Sequence, residues 1–243
     1  MTQLSDSRFL ERIRSRFLKT VNEYDLILPS DRILVAVSGG KDSLSLLDLL
    51  AWRKQILFSP VSLYAAHIRS GIIPEVTDIG YVKEWCDAHQ VPFVERQTGD
   101  GVDPLPSKGA CYVCSRNRRK ELFTLAEAMK CNKIAFGHHR DDIIETLLMN
   151  MIHHGTISAM PVGLEMFGGK FTIIRPLALV TAMELTRYAS LRGFPSQTVR
   201  CPYEDFSQRE EVRKIIQEMS KLNKKVRQNL FRSVSHIETG FLP

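Results

Sequence analysis

Three short stretches gather the side chains able to do chemistry. The first is Ser38-Gly39-Gly40-Lys41-Asp42-Ser43. Adjacent glycines let a backbone approach an anion closely and accept φ > 0 without strain. Ser38 and Ser43 can donate hydroxyl hydrogen bonds to phosphate oxygens, and Asp42 can hold the Mg²⁺ that accompanies a polyphosphate. The second is Cys111-Tyr112-Val113-Cys114, which runs into the basic stretch Ser115-Arg116-Asn117-Arg118-Arg119-Lys120. The third is Gly137-His138-His139-Arg140-Asp141-Asp142, whose acids can answer a helix dipole or serve a metal or a reaction. Adjacent histidines diverge on most backbones, so at most one of His138 and His139 faces a shared ligand.

These stretches need elements to hold them. Ile33-Leu34-Val35-Ala36-Val37 is a buried strand, and Leu44-Ser45-Leu46-Leu47-Asp48-Leu49-Leu50 is a helix. The glycine stretch between them therefore faces the free N–H groups at a helix start, a ready anion site. Further strands are expected at 61–68, from 91, at 133–137 and, last, at 171–175. Helices are expected at 82–89, 115–130, 140–152 and 181–191, the last closed by Gly193. Residues 98–110, rich in Gly, Pro and Asp, read as a loop that leaves the Cys-x-x-Cys directly before a helix. Strand–helix alternation with near-continuous apolar strands predicts an α/β, Rossmann-like parallel sheet covered by helices on both faces. Ligands in such sheets gather at the carboxyl ends of the strands, where all three stretches fall. A helix at 9–24, with Phe9, Ile13, Phe17 and Val21 at four-residue spacing, precedes the sheet. The expected division is an N-terminal helical segment 1–29, a nucleotide domain 30–180 and a basic helical segment 181–243.

Cys-x-x-Cys fits a thiol–disulfide pair, half a zinc site, or two ligands of an iron–sulfur cluster. A thioredoxin-like context and a second paired zinc half are both missing. Cys86 and Cys131 lie in or at the end of helical stretches and read as small core residues. Cys201 lies in a loop and could join Cys111 and Cys114 in a three-thiolate set, stabilised by the neighbouring cations. Such a set on a four-iron cluster would leave one iron open.

The 243 residues are 44% hydrophobic and 25% charged, an ordinary globular composition. No apolar run reaches the length of a membrane span, and the polar residues 1–7 are unlike a signal peptide. A cytoplasmic protein with no membrane partner is expected. The net charge of +6 favours a polyanionic partner. Most of it comes from residues 207–233, with eight Lys/Arg against three acids. That run, with Arg116, Arg118 and Arg119, is a candidate grip on nucleic-acid phosphates. Val212, Ile215, Ile216, Met219, Leu222, Val226 and Leu230 make its apolar stripe.

The glycine hexapeptide lacks the spacing of a Walker A loop or a dinucleotide fingerprint and resembles the PP-loop of ATP pyrophosphatases. Taken with Cys111-x-x-Cys114-Ser-Arg, Gly137-His-His-Arg-Asp-Asp, Met149-Asn150-Met151 and Ile174-Arg175-Pro176-Leu177, the chain resembles the tRNA 2-thiocytidine synthetases from residue 31 to 201. The resemblance implies an ATP-dependent tRNA sulfurtransferase. Ser38, Gly39, Gly40, Lys41, Asp42 and Ser43 would bind ATP and Mg²⁺, with His67 and Ile68 beside the adenine and Gly137 and His138 near the phosphates. Asp42, Asp142 and Arg118 would be catalytic, and Cys111, Cys114 and Cys201 would carry a [4Fe–4S] cluster. The partners would be tRNA and a sulfur donor, either sulfide or a cysteine desulfurase. Cys201-Pro202-Tyr203-Glu204 has one cysteine where the family often has a second Cys-x-x-Cys, and the zinc-finger cysteines of the related 2-thiouridine synthetases are absent. The rival readings are a cluster-free PP-loop ligase acting on tRNA or a small metabolite, and an RNA-binding module without catalysis. The sequence leaves open whether the chain forms a homodimer.

Overall fold

The computed structural model describes residues 2–58, 60–70, 79–98, 110–195 and 208–241, with the side chains of 2–4, 110 and 111 excepted. Its centre is a six-stranded sheet in the order β3-β2-β1-β4-β6-β5. The strands are β1 (Arg32–Ala36), β2 (Ser62–Arg69), β3 (Phe93–Gln97), β4 (Lys133–Ala135), β5 (Gly163–Met166) and β6 (Phe171–Ile174). All neighbours pair parallel except β5 and β6, an antiparallel hairpin at one edge. The expected parallel core is therefore present, and β5 is an addition to it. The chain winds outward through β2 and β3, then returns to place β4 on the other side of β1. That reversal makes the gap between the ends of β1 and β4 the natural ligand crevice.

The helices are α1 (Thr2–Glu23), α2 (Lys41–Ile56), α3 (Ile79–Ala88), α4 (Ala110–Ala128), α5 (Arg140–His154), α6 (Ala182–Leu191), α7 (Gln208–Leu222) and α8 (Val226–Ser233). Side chains of a strand point alternately to opposite faces. Ile33, Val35 and Val37 accordingly join a core with α1, α2, α3 and α6, while Leu34 joins Leu122, Leu125 and Ala126 of α4 on the other face. Phe9, Ile13, Phe17 and Val21 of α1 are all buried in the first core, as their spacing predicts. Truncating a buried phenylalanine such as Phe17 costs about 3–5 kcal/mol. Asp48 of α2 is buried and holds α6, accepting from the Tyr188 hydroxyl and from Arg192 at 2.7 and 3.0 Å.

The basic segment departs from a single helix. Asn223-Lys224-Lys225 breaks it into α7 and α8, and only Val212 and Ile216 of the stripe are buried, against Ile144 and Leu148 of α5. Leu222 at the break is 89% exposed, and beyond it Leu230, partly buried, returns to the same cluster. No helix among the described residues is long and apolar enough to cross a membrane.

Candidate functional site

Gly39 takes φ 83°, the left-handed conformation that favours glycine, while Gly40 is extended at φ −72° and starts α2. Only one of the two glycines is thus needed for its positive φ. The turn is held from within. Ser43 Oγ donates to Gly40 O at 2.9 Å and accepts from the Ser38 amide at 3.2 Å. Ser38 Oγ lies 3.2 Å from Ser43 Oγ and accepts from the Gly40 amide at 3.3 Å. Lys41 Nζ donates to Asp42 Oδ1 at 2.6 Å.

Gly137, just after β4, lies against this turn. A Cβ built on it would sit 3.0 Å from the carbonyl carbon and oxygen of Asp42 and from the amide nitrogen of Ser43. Glycine here serves close approach, which joins the first and third stretches physically. His139 caps α5. Its Nδ1 accepts from the Asp142 amide at 3.4 Å, and Asp142 Oδ2 accepts from the His139 amide at 2.9 Å. The same imidazole stands between two carboxylates, with Nδ1 3.3 Å from Asp142 Oδ2 and Nε2 3.9 Å from Asp42 Oδ2.

A cavity of about 500 Å³ opens at the ends of β1, β2 and β4, within the range of small-ligand sites. The glycine turn contributes Ser38, Asp42 and Ser43 to it, β2 contributes Ala66, His67 and Ile68, and the third stretch contributes Gly137, His138 and Asp142. Cys114, Ser115, Arg118, Arg119 and Leu122 of α4 form another wall. The two histidines divide as expected. His138 lines the cavity, whereas His139 is buried behind it. Gly39, Gly40 and Lys41 complete the turn without lining the cavity.

The charged lining is mixed, with Arg118 and Arg119 on one wall and Asp42 and Asp142 on the other. Burial, opposed by the nearby Asp142, holds the His138 imidazole down at about 4, so it is neutral in neutral solution. Its Nδ1 is buried without a hydrogen-bond partner. Arg175, just beyond β6, is pushed down to about 10 by burial and then by the Arg119 charge. Arg118 and Arg119 face the cavity itself. His67 is oriented by its Nδ1, 2.8 Å from Val37 O.

The Cys-x-x-Cys does not precede a helix but opens one, since α4 begins at Ala110. Cys114 is half-buried, with Sγ donating to Ser70 Oγ, just beyond β2, at 3.9 Å. The side chain of Cys111 and the whole of Cys201 lie outside the described residues. Cys86 and Cys131 are core residues, as expected, with burial pushing their thiols up to about 12 and about 11. Such thiols are inert.

Residues 9–219 match the model of the PP-loop domain family. The chain is 34% identical over 243 residues to the tRNA-cytidine(32) 2-sulfurtransferase of Geobacter sulfurreducens, covering 96% of this chain and 95% of that one. The chain belongs to the tRNA 2-thiocytidine synthetase family of PP-loop proteins. The enzyme of the same name from Acaryochloris marina is 35% identical, over 99% of this chain and 88% of its own. Among solved structures, the U34-tRNA thiolase NcsA of Methanococcus maripaludis, with its [4Fe-4S] cluster, superposes with a TM-score of 0.80. At 24% identity over 96% of this chain and 82% of NcsA, that likeness establishes the fold.

Within this PP-loop site, some residues escaped the sequence reading. Ala36, Val37, Ser115, Leu122 and Phe136 line the cavity without a chemical signature in the sequence. His139 was legible as one of a pair, though not as the residue between two acids. Arg209 of α7 reaches the site from the basic segment, 3.4 Å from Asp142 Oδ1 and 3.7 Å from Glu145 Oε2. Only tertiary structure brings Arg209 there. Arg213 and Arg227 are likewise committed, to Glu145 at 2.9 Å and Asp141 at 2.8 Å, so these basic residues are partly spent inside the fold.

Proposed function

We propose that this protein is an ATP-dependent tRNA sulfurtransferase that exchanges the C2 oxygen of a tRNA cytidine for sulfur. The observation that carries the reading is one cavity lined by the PP-loop, by His138 and Asp142, and by Cys114 with its neighbouring arginines. The relatives' names support cytidine 32 as the target.

The glycine turn and the start of α2 would bind the phosphates of ATP, with N–H donors and the helix dipole aimed at them. Ala66, His67 and Ile68 would flank the adenine. The cytidine O2 attacks the α-phosphorus, the α–β bond breaks, and pyrophosphate leaves with the bonding electrons. Arg118 would stabilise charge building on the transferring group. A sulfur nucleophile then adds at C2, the C2–O bond breaks, and AMP departs with the oxygen. Neutral His138 places no positive charge of its own beside the phosphates and offers them a hydrogen bond.

Two groups are implied for these residues. Asp42 lines the cavity and would lend a carboxylate oxygen to Mg²⁺ carried in with the nucleotide, whereas both oxygens of Asp142 are engaged, by the His139 amide and by Arg209. Cys114 lines the cavity one turn of α4 before Arg118, so its sulfur faces the same space as the PP-loop. Cys111, Cys114 and Cys201 would hold a [4Fe–4S] cluster, which supplies an open iron able to bind the incoming sulfur. A cytoplasmic location fits such chemistry on tRNA, with sulfide or a cysteine desulfurase as donor.

Anaerobic reconstitution, followed by mass spectrometry of nucleosides from treated tRNA, tests the reading. About four irons per chain and ATP-dependent 2-thiocytidine are expected, with both lost in Cys114→Ser. Protein that stays colourless after reconstitution, yet still releases pyrophosphate with tRNA, would mark a cluster-free ligase instead.

A further inference from the structure

A second recess lies on the outer side of α4, between that helix and the β5–β6 hairpin. It measures about 840 Å³ and belongs to no part of the nucleotide cavity. Phe123 and Phe171 stack at 6.2 Å and 14°. Phe167, at the hairpin tip, stands edge-on to both, at 5.2 Å and 83° to Phe123 and at 6.3 Å and 89° to Phe171. Phe171 is buried, but Phe167 remains 62% exposed and Tyr112 72% exposed. Phe167 also takes φ 53°, a left-handed conformation costly for a bulky residue.

The charge around these rings is mostly positive. Arg116, Arg119, Lys120 and Lys170 line the recess, against the single acid Glu127, which is paired with Lys170. Tyr112, Arg116 and Lys120 follow at four-residue spacing, so one face of α4 presents a ring followed by two cations. Arg119 lines both this recess and the nucleotide cavity, and α4 also carries Cys114. The recess therefore opens directly beside the chemistry.

We propose that this groove holds unpaired RNA next to the target base, with bases stacked on Tyr112 and Phe167 and phosphates on Arg116 and Lys120. This rests on the reading of the protein as an RNA-modifying enzyme and deepens it by naming the surface. Stacking platforms interleaved with cations are what single-stranded nucleic acid requires. A duplex, whose bases already stack on each other, gains nothing from exposed rings.

The test is fluorescence anisotropy with two RNAs, an anticodon stem–loop and the same sequence closed into a duplex. Wild type is expected to prefer the stem–loop. Tyr112→Ala and Phe167→Ala should each weaken it about tenfold, and most of the preference over duplex should go with them. Arg116→Ala with Lys120→Ala should flatten the salt dependence by about one to two counterions. ATP affinity should hold in every variant. Phe58→Ala, which removes a ring 93% exposed in the turn before β2, should bind as wild type does. Tyr112 stands on an exposed helix face, so its variant reports even if Phe167→Ala unfolds the hairpin. If wild type binds the stem–loop and the Tyr112 variant binds it equally well, the groove assignment is overturned while the enzymatic reading stands. If the variants keep RNA but lose transfer from a protein sulfur donor, the groove is a protein dock and the proposal is equally overturned. If wild type neither binds nor thiolates RNA, both readings fall together.

Discussion

Gly137→Ala asks whether the third stretch positions the PP-loop. The new Cβ would meet the Asp42 carbonyl carbon, its oxygen and the Ser43 nitrogen at 3.0 Å, where ordinary contact begins near 3.4 Å. All three atoms belong to the backbone, so nothing can swing aside, and the turn itself must shift by about 0.4 Å. Overpacking of this kind costs about 1–3 kcal/mol. For a protein of this size that lowers the melting temperature by about 2–12 °C. The larger effect should be catalytic, because the displaced atoms carry the Asp42 carboxylate and the helix N–H groups. A misplacement approaching 1 Å can cost about 100-fold in rate, so a loss of about tenfold in kcat/KM for ATP is expected here. Pyrophosphate release with saturating tRNA measures it. Gly155→Ala is the comparison. Gly155 caps α5 at φ 63° with nothing near its missing Cβ, so alanine there strains the backbone far from ATP. It should lower the melting temperature by a similar amount while leaving kcat/KM unchanged. Wild-type ATP kinetics in Gly137→Ala would refute the argument that close approach sets the loop.

Burial pushes the Glu145 carboxyl up and its hydrogen bond from Arg213 pulls it back. Arg213→Ala should cost about 2 kcal/mol in urea denaturation at neutral pH, because Arg213 itself is partly solvated. Adding Glu145→Gln should recover most of that loss, and an undiminished cost in the double variant would rule out an unpaired buried charge as the cause. His138 titrates at about 4 in the folded protein against 6.5 ordinarily, so the unfolded state binds more protons between those values. Its contribution to stability is complete above pH 6.5 and fades as pH falls towards 4, by about 3 kcal/mol at most. His138→Asn should flatten the stability profile in that window, and parallel profiles would show that His138 is not depressed.

Local pattern carried the sequence reading where residues act on near neighbours. Strands β1 and β2 are apolar on both faces, and the capping residues Thr181 and His139 sit where α6 and α5 begin. Strand β3 starts at Phe93 rather than Val91, because Pro92 has no N–H to give a ladder. Strand β5 was illegible. Gly163, Leu164 and Glu165 are all exposed on an edge, and no alternation marks them. The opening turn of α4 reads as loop because cysteine and valine favour helix weakly and the preceding residues signal a turn. Charge misled in a different way. Composition counts Arg209, Arg213 and Arg227 as available to a polyanion, yet each meets an acid 67 or more residues away in sequence.

Those acids show how one helix start ties the fold together beside the cavity. Asp141 and Asp142 are adjacent, so their side chains leave α5 about 100° apart. Asp142 turns towards the PP-loop cavity and caps the helix by accepting from the His139 amide. Asp141 turns away, where Oδ2 accepts from the Ala182 amide at 2.8 Å and Oδ1 accepts from Arg227 at 2.8 Å. It thereby ties the starts of α5 and α6 to α8. Two turns of α5 further on, Leu148 packs with Ile144 against Val212 and Ile216 of α7. The basic segment is therefore joined to Asp142 by Arg209 and to Asp141 by Arg227. The helix dipole and a catalytic role were competing explanations for these acids in the sequence. In the fold the dipole account holds for Asp142, since the N–H at the helix start fixes one of its oxygens and Arg209 meets the other, and its place on the cavity wall is what the proposed chemistry draws on.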